Sequence, residues 1–234
     1  MILLLFAAAA ADEPPAPAWD LSAEAVAVSD YRFRGVSLSE RDPALQGSLD
    51  LEHESGFHAG VWASTLPETA GGAHAEVDLS AGYAAELAGG VELDGTLIYY
   101  AYPGDRDLDY LEAIATASTT LGPVTPSLGL AYAPAQNALR NESGNKDDNL
   151  YLFGGLELPL AKTPFTFNAG AGYERGPFDY TAGGGKWDWR LGASASLSAF
   201  TLGLAYTGSD ANVPDERGRN LAGDTAVLSL GMSF

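Results

Sequence analysis

Carboxylates at two-residue spacing are the first chemistry this sequence offers. Glu76 and Asp78 sit between Ala75, Val77 and Leu79, and Glu92 and Asp94 between Val91, Leu93 and Gly95. In an extended chain successive side chains point to opposite faces, so each acidic pair shares one face and the apolar residues the other. Glu24, Asp50, Glu52, Glu86, Glu112, Glu157, Glu174 and Asp188 are placed in the same way. Glu76, Asp78, Glu112, Glu174 and Asp188 are expected near the outer mouth, Glu52, Glu86, Glu92 and Glu157 near the inner one, and Glu24, Asp50 and Asp94 between. Carboxylates gathered around a narrow, low-dielectric enclosure attract cations and repel anions, because such a space focuses the field. The basic residues expected on this face are few. Arg190 follows Asp188, while Arg32 and Arg34 flank Phe33 and are expected to share a face at the end of the first strand. One expectation is a transverse field at a constriction, set up between these three arginines and the carboxylates. The other is an ion-pair cluster that anchors a loop.

Other chemistry is thinly represented. With no cysteine there is no disulfide, thiolate metal site or cysteine nucleophile. The three histidines fall in a turn (His53), on the carboxylate face (His58) and at a loop edge (His74), and no Gly-x-Ser-x-Gly elbow is present. A barrel hydrolase would need Ser, His and an orienting group together on the apolar face, so no enzyme activity is expected. Asp105, Asp107 and Asp109 alternate as in a calcium loop but lack the following glycine and the bidentate glutamate. They read as a solvated loop; no metal site and no cofactor is expected. A net charge of -19, from 12 basic against 31 acidic residues, argues against a nucleic-acid partner.

The elements that must position these groups are strands. From Ala75 to Leu87 the odd positions are apolar or small, and the even ones carry Glu76, Asp78, Ser80 and Glu86. The pattern recurs about 12 times between Trp19 and Phe234, and no later run approaches the 18 apolar residues of a membrane helix. Connections alternate between tight turns, as at His53 to Gly56 and Ala88 to Gly90, and long polar loops, as at Ser37 to Pro43, Ala135 to Asp147 and Gly208 to Gly223. A soluble sandwich has no reason to sort its loops this way; a membrane barrel does. The apolar face is almost free of charge, as contact with hydrocarbon demands, since Lys or Arg near the midplane costs about 2–4 kcal/mol. Trp19, Tyr99, Tyr132, Tyr173, Trp187, Trp189, Tyr206 and Phe234 cluster toward strand ends, like interfacial girdles. The expected fold is all-β: a closed antiparallel transmembrane up-and-down β-barrel of about 12 strands over residues 19–234. Twelve strands about 4.8 Å apart and tilted about 40° give a backbone radius of roughly 12 Å, enough for ions or small metabolites.

Ahead of the barrel, residues 1–11 form a short apolar run closed by alanines, read as a signal peptide cleaved after about Ala11, although no Lys or Arg precedes it. Residues 12–18, with Pro14, Pro15 and Pro17, are a Pro-rich lead-in.

Ser29-Asp30-Tyr31-Arg32-Phe33-Arg34-Gly35-Val36-Ser37 resembles the signature of the TorF-like porin family of bacterial outer-membrane proteins. His53-Glu54-Ser55-Gly56-Phe57, Gly60-Val61-Trp62-Ala63-Ser64 and Glu76-Val77-Asp78 with Gly82-Tyr83 are similar in order and spacing. The likeness is strongest over residues 20–85. Ser80 stands where an aromatic is expected, and the loop after Ser64 diverges. The resemblance implies a bacterial outer-membrane channel for passive passage of ions or small solutes, and the acidic lumen implies a cation preference. Both termini would be periplasmic. The partners would be outer-membrane lipid, lipopolysaccharide and the insertion machinery, which a terminal Phe234 resembles the signal for. The alternative is a non-conducting structural or adhesion barrel.

Overall fold

The structure, a computed structural model, describes residues 18–69, 71–181 and 183–234. The expected signal peptide and residues 12–17 of the lead-in lie outside the described residues. Fourteen strands follow: β1 (Trp19–Val28), β2 (Arg32–Phe33), β3 (Val36–Ser37), β4 (Ala44–His53), β5 (Phe57–Thr65), β6 (Ala75–Leu87) and β7 (Val91–Ala101). Then come β8 (Tyr110–Thr119), β9 (Thr125–Ala133), β10 (Asn149–Pro159), β11 (Phe165–Arg175), β12 (Lys186–Leu197), β13 (Phe200–Ser209) and β14 (Thr225–Ser233). Twelve of them, β1 and β4 to β14, form one closed barrel in which each strand pairs with its neighbours, and β2 and β3 make a separate two-stranded hairpin. All wall pairings are antiparallel, and β1 closes the cylinder by pairing with both β4 and β14. Closure satisfies every edge, which a sheet in hydrocarbon requires because no water is there to bond a free N–H or C=O.

The register explains why two-residue alternation survives around the whole wall. Leu79 lies opposite Val61 and Tyr99, so apolar residues meet apolar residues on the outside. Asp78 lies opposite Trp62 and Tyr100 on the inside. The exterior is a continuous apolar belt: Leu128 is 71% exposed, Leu21 68% and Leu45 66%. A soluble monomer does not sustain a patch that encircles it, whereas lipid covers it without cost. Aromatics mark both rims. At the long-loop rim Tyr99 and Tyr132 donate their hydroxyls to the loop carboxylates Asp109 and Asp148, at 2.9 and 3.0 Å, keeping ring apolar and oxygen polar.

Connections between wall strands are short at one end (54–56, 88–90, 120–124, 160–164, 198–199) and long at the other (29–43, 66–74, 102–109, 134–148, 176–185, 210–224). One element departs from the sequence reading. β1 ends at Val28 rather than running on to Phe33, so Arg32 and Arg34 are not part of the wall. They ride on the β2–β3 hairpin instead.

Candidate functional site

The hairpin enters the lumen at the long-loop end. Its two-residue turn, Arg34-Gly35, has φ of 47° and 80°, the positive pair that matches a hairpin to right-handed strand twist. Gly35 is required twice over. Its φ suits glycine, and a Cβ there would lie 2.5 Å from the Gly208 carbonyl oxygen and 2.9 Å from the Asp188 Cβ. Phe33 packs into a cluster with buried Tyr100, Tyr110, Ala133 and Leu139, while Val36 packs with Ala211 and Ala222 of the last long loop. The hairpin therefore reaches both sides of the mouth. The loop 210–224 clasps it, with the Ser37 N–H donating to the Leu221 carbonyl at 3.0 Å and Arg32 Nη1 to the Gly223 carbonyl at 2.9 Å.

Arg32 and Arg34 part company at the turn. Arg32 stays at the base of the hairpin, its Nε donating to Asp30 Oδ2 at 2.7 Å. Arg34 reaches the wall. Its Nη1 donates to Glu174 Oε1 and its Nη2 to Glu112 Oε2, each at 2.6 Å, joining β11 to β8 through one guanidinium. The group lies 4.3 Å from the centre of the Tyr151 ring and 4.5 Å from that of Phe33. Burial alone would lower the Arg34 pKa, but Glu174 and then Glu112 outweigh it and drive it above its ordinary value. Both carboxylates are fully buried and have further partners. Lys186 Nζ lies 2.6 Å from Glu174 Oε2, Asn149 Nδ2 donates to Glu174 Oε1 at 3.0 Å, and the Tyr100 hydroxyl donates to Glu112 at 3.3 Å. Nearby, Glu76 accepts from the hydroxyls of Tyr31 and Tyr102, both at 3.0 Å. Burial, and then the Glu76 charge, push both of these loop phenols above their ordinary pKa.

Every wall strand from β4 to β14 contributes a buried inward side chain at this level, among them Ser64, Glu76, Tyr100, Glu112, Ala131, Asn149, Glu174, Asp188, Thr207 and Val227. The long-loop end of the lumen is packed with these side chains. This corrects the expected open ring of outer carboxylates: Glu76, Glu112, Glu174 and Asp188 are buried and bonded, and Asp78 is half-buried with one oxygen unpartnered. The physical reason is that a bare carboxylate in such a space is too costly, so the chain supplies Arg34, Lys186 and tyrosine hydroxyls. The expected transverse field from three arginines changes likewise. Arg34 is neutralised at the wall, Arg32 pairs with Asp30 just before the hairpin, and Arg190 stands lower in the lumen, exposed and in no ion pair among the described residues.

Toward the short-turn end the lumen is wet. Glu24, Glu92 and Glu157 are exposed on the inward face, Asp50 and Asp94 half-exposed. Asp94 accepts from Thr96 Oγ1 at 2.7 Å and lies 2.7 Å from His58 Nε2. His53 Nδ1 comes within 2.7 Å of Ser55 Oγ, but inside an exposed tight turn, and its ring packs on Trp19 rather than on an orienting carboxylate. Asp105 and Asp109 are loop staples: Asp105 accepts from Thr69 Oγ1 and the Gly71 N–H, and Asp109 from the Tyr102 N–H. Sequence reasoning missed Lys186, Asn149 and Tyr151. Lys186 was within reach, since it shares Asp188's face two residues away.

A closed 12-stranded antiparallel wall, apolar outside and charged inside, with the chain's own hairpin folded into one end, defines a transmembrane β-barrel. The model of the family described as "Bacterial protein of unknown function (Gcw_chp)" matches residues 11–234, and the chain belongs to that family. Among solved structures it is similar to the NanC porin (14% identity, 92% of this chain and 99% of that one, TM-score 0.62). It is also similar to the KdgM porin (8% identity, 91% and 99%, TM-score 0.61). A third similar structure is an outer membrane channel from Pseudomonas putida F1 (13% identity, 94% and 98%, TM-score 0.54). At these identities the likeness is one of fold. A comparison with curated proteins finds no match.

Proposed function

We propose that the protein is a porin-like channel of the bacterial outer membrane, passing ions or small solutes with a preference for cations. The long loops, with the hairpin between them, face outward, and the short turns and both chain termini face the periplasm. The observation that carries the reading is the solvent-exposed lumen below the hairpin, where Glu24, Glu92 and Glu157 are exposed and Asp50 and Asp94 half-exposed on the inward face, with Arg190 as the exposed inward arginine among the described residues. With the outer carboxylates neutralised, selectivity falls to this inner group, whose field low-dielectric walls concentrate. A solved KdgM porin is a complex with oligogalacturonate; a lumen of this sign disfavours such polyanions. The fold of the similar porins supports the class, and the motifs over residues 29–83 support the finer placement among TorF-like porins. Phe234 serves as the signal for insertion, and lipopolysaccharide covers the outer rim.

The packed outer mouth favours a second reading, a non-conducting envelope barrel. Reversal potential in planar bilayers under a salt gradient separates the two. A potential near the cation limit is expected; an anion-selective potential contradicts the inner-carboxylate mechanism, and silence of both the native chain and an Arg34→Ala variant favours the second reading.

A further inference from the structure

The clamp around Arg34 has the form of a receptor for a guanidinium, beyond what anchoring a loop requires. Two carboxylates from β8 and β11 each take one terminal nitrogen at 2.6 Å, which suits a planar fork of donors. Tyr151 covers the group's face at 4.3 Å. The receptor side is held without help from the hairpin. Lys186 and Asn149 fix Glu174, the Tyr100 hydroxyl contacts Glu112, and Tyr151 donates to Asp188 at 3.1 Å. One further observation points to a ligand. Glu112 is fully buried, yet its Oε1 has no hydrogen-bond partner among the described residues, so the site holds unused acceptor capacity.

We infer that Glu112, Glu174 and Tyr151 form a binding site for guanidinium-bearing solutes, which Arg34 fills in their absence as a tethered competitor. A solute that takes Arg34's place frees the hairpin tip from the wall, so the ligand that binds is also the one that opens the mouth. The opening step rests on the channel reading above; the binding step does not. Sodium or potassium cannot substitute, because neither offers planar donors or a flat face to Tyr151. A tethered competitor acts at an effective concentration in the millimolar range, so the native chain must bind a free guanidinium more weakly than a chain without Arg34.

The test uses methylguanidinium at concentrations far below denaturing ones, with sodium at equal ionic strength as control, on the full barrel in detergent. Arg34→Ala is expected to bind the probe about tenfold or more tightly than the native chain, and its thermal midpoint to rise with the probe but not with sodium. Adding Glu112→Gln and Glu174→Gln is expected to abolish both effects. If Arg34→Ala does not fold, Arg34→Gln takes its place. Equal affinity in native and variant chains, or no binding to a folded variant, overturns the inference. In bilayers, methylguanidinium on the long-loop side is expected to raise native conductance above the sodium control. Binding with no conductance in either chain would overturn the channel reading and the opening step while leaving the site; conductance without binding would overturn the site alone.

Discussion

Replacing Arg34 with alanine isolates the interaction on which the packed mouth depends. The two carboxylates it serves are not equally exposed to its loss. Glu174 keeps Lys186 at 2.6 Å and Asn149 at 3.0 Å, whereas Glu112 keeps only the Tyr100 hydroxyl at 3.3 Å among the described residues. Removing one partner of a buried ion pair typically costs about 3–5 kcal/mol, because a charge is left uncompensated. Here the released hairpin admits water to Glu112, so the lower end, about 3 kcal/mol, is expected. For a chain of this length that corresponds to a fall in thermal midpoint of roughly 6–12 °C. The assay is reversible unfolding of the barrel in detergent or vesicles, run as a cycle with Glu112→Gln and Glu174→Gln. Glu112→Gln in the Arg34→Ala background should recover most of the loss, and Glu174→Gln should not, since it would strand Lys186. A loss below about 1 kcal/mol, the scale of an exposed pair, or equal recovery by both glutamines, would refute the reasoning.

Three further outcomes follow from the same geometry. Gly35→Ala, which places a Cβ 2.5 Å from the Gly208 carbonyl at a φ of +80°, should loosen the hairpin, raise conductance and lower the thermal midpoint of the barrel in the same direction as Arg34→Ala. Leu128→Arg, on the lipid face midway along β9, should destabilise the folded barrel by about 2–4 kcal/mol, whereas arginine at inward Ser127 should cost far less; vesicle unfolding titrations compare the two. Asp50→Asn with Asp94→Asn should lower the cation-to-anion permeability ratio without changing the fold, read from reversal potentials and circular dichroism.

How much of this could be read from sequence divides along a physical line. The wall was legible because its determinant is local: period-two alternation sets each strand's inner and outer face, and β6 spans Ala75–Leu87 as the alternation predicts. The sorting of short and long connections was legible for the same reason. The hairpin was not. Arg32, Phe33 and Arg34 alternate as if β1 simply continued, and the turn that breaks them away places an arginine, not asparagine or glycine, at the first positive φ. Nor could the pairing of the carboxylates be read, because Glu112 and Glu174 stand 78 and 140 residues from Arg34 along the chain. Their faces were right; whether water or a guanidinium met them depended on where a loop folded. Asp94, by contrast, kept its expected place in the wet lumen because its neighbours on β6 and β8 leave that level open.

Sided labelling of a single lumen cysteine bears most directly on the whole account, and the absence of native cysteine makes it clean. Ser194→Cys lies on the inward face of β12, below the hairpin. A membrane-impermeant, water-soluble maleimide should modify it quickly from the short-turn side of a vesicle and slowly from the long-loop side, and adding Arg34→Ala should bring the second rate up toward the first. Equal rates from both sides in the Arg34-containing protein would contradict the closed mouth, and failure to react from either side would contradict the wet interior itself.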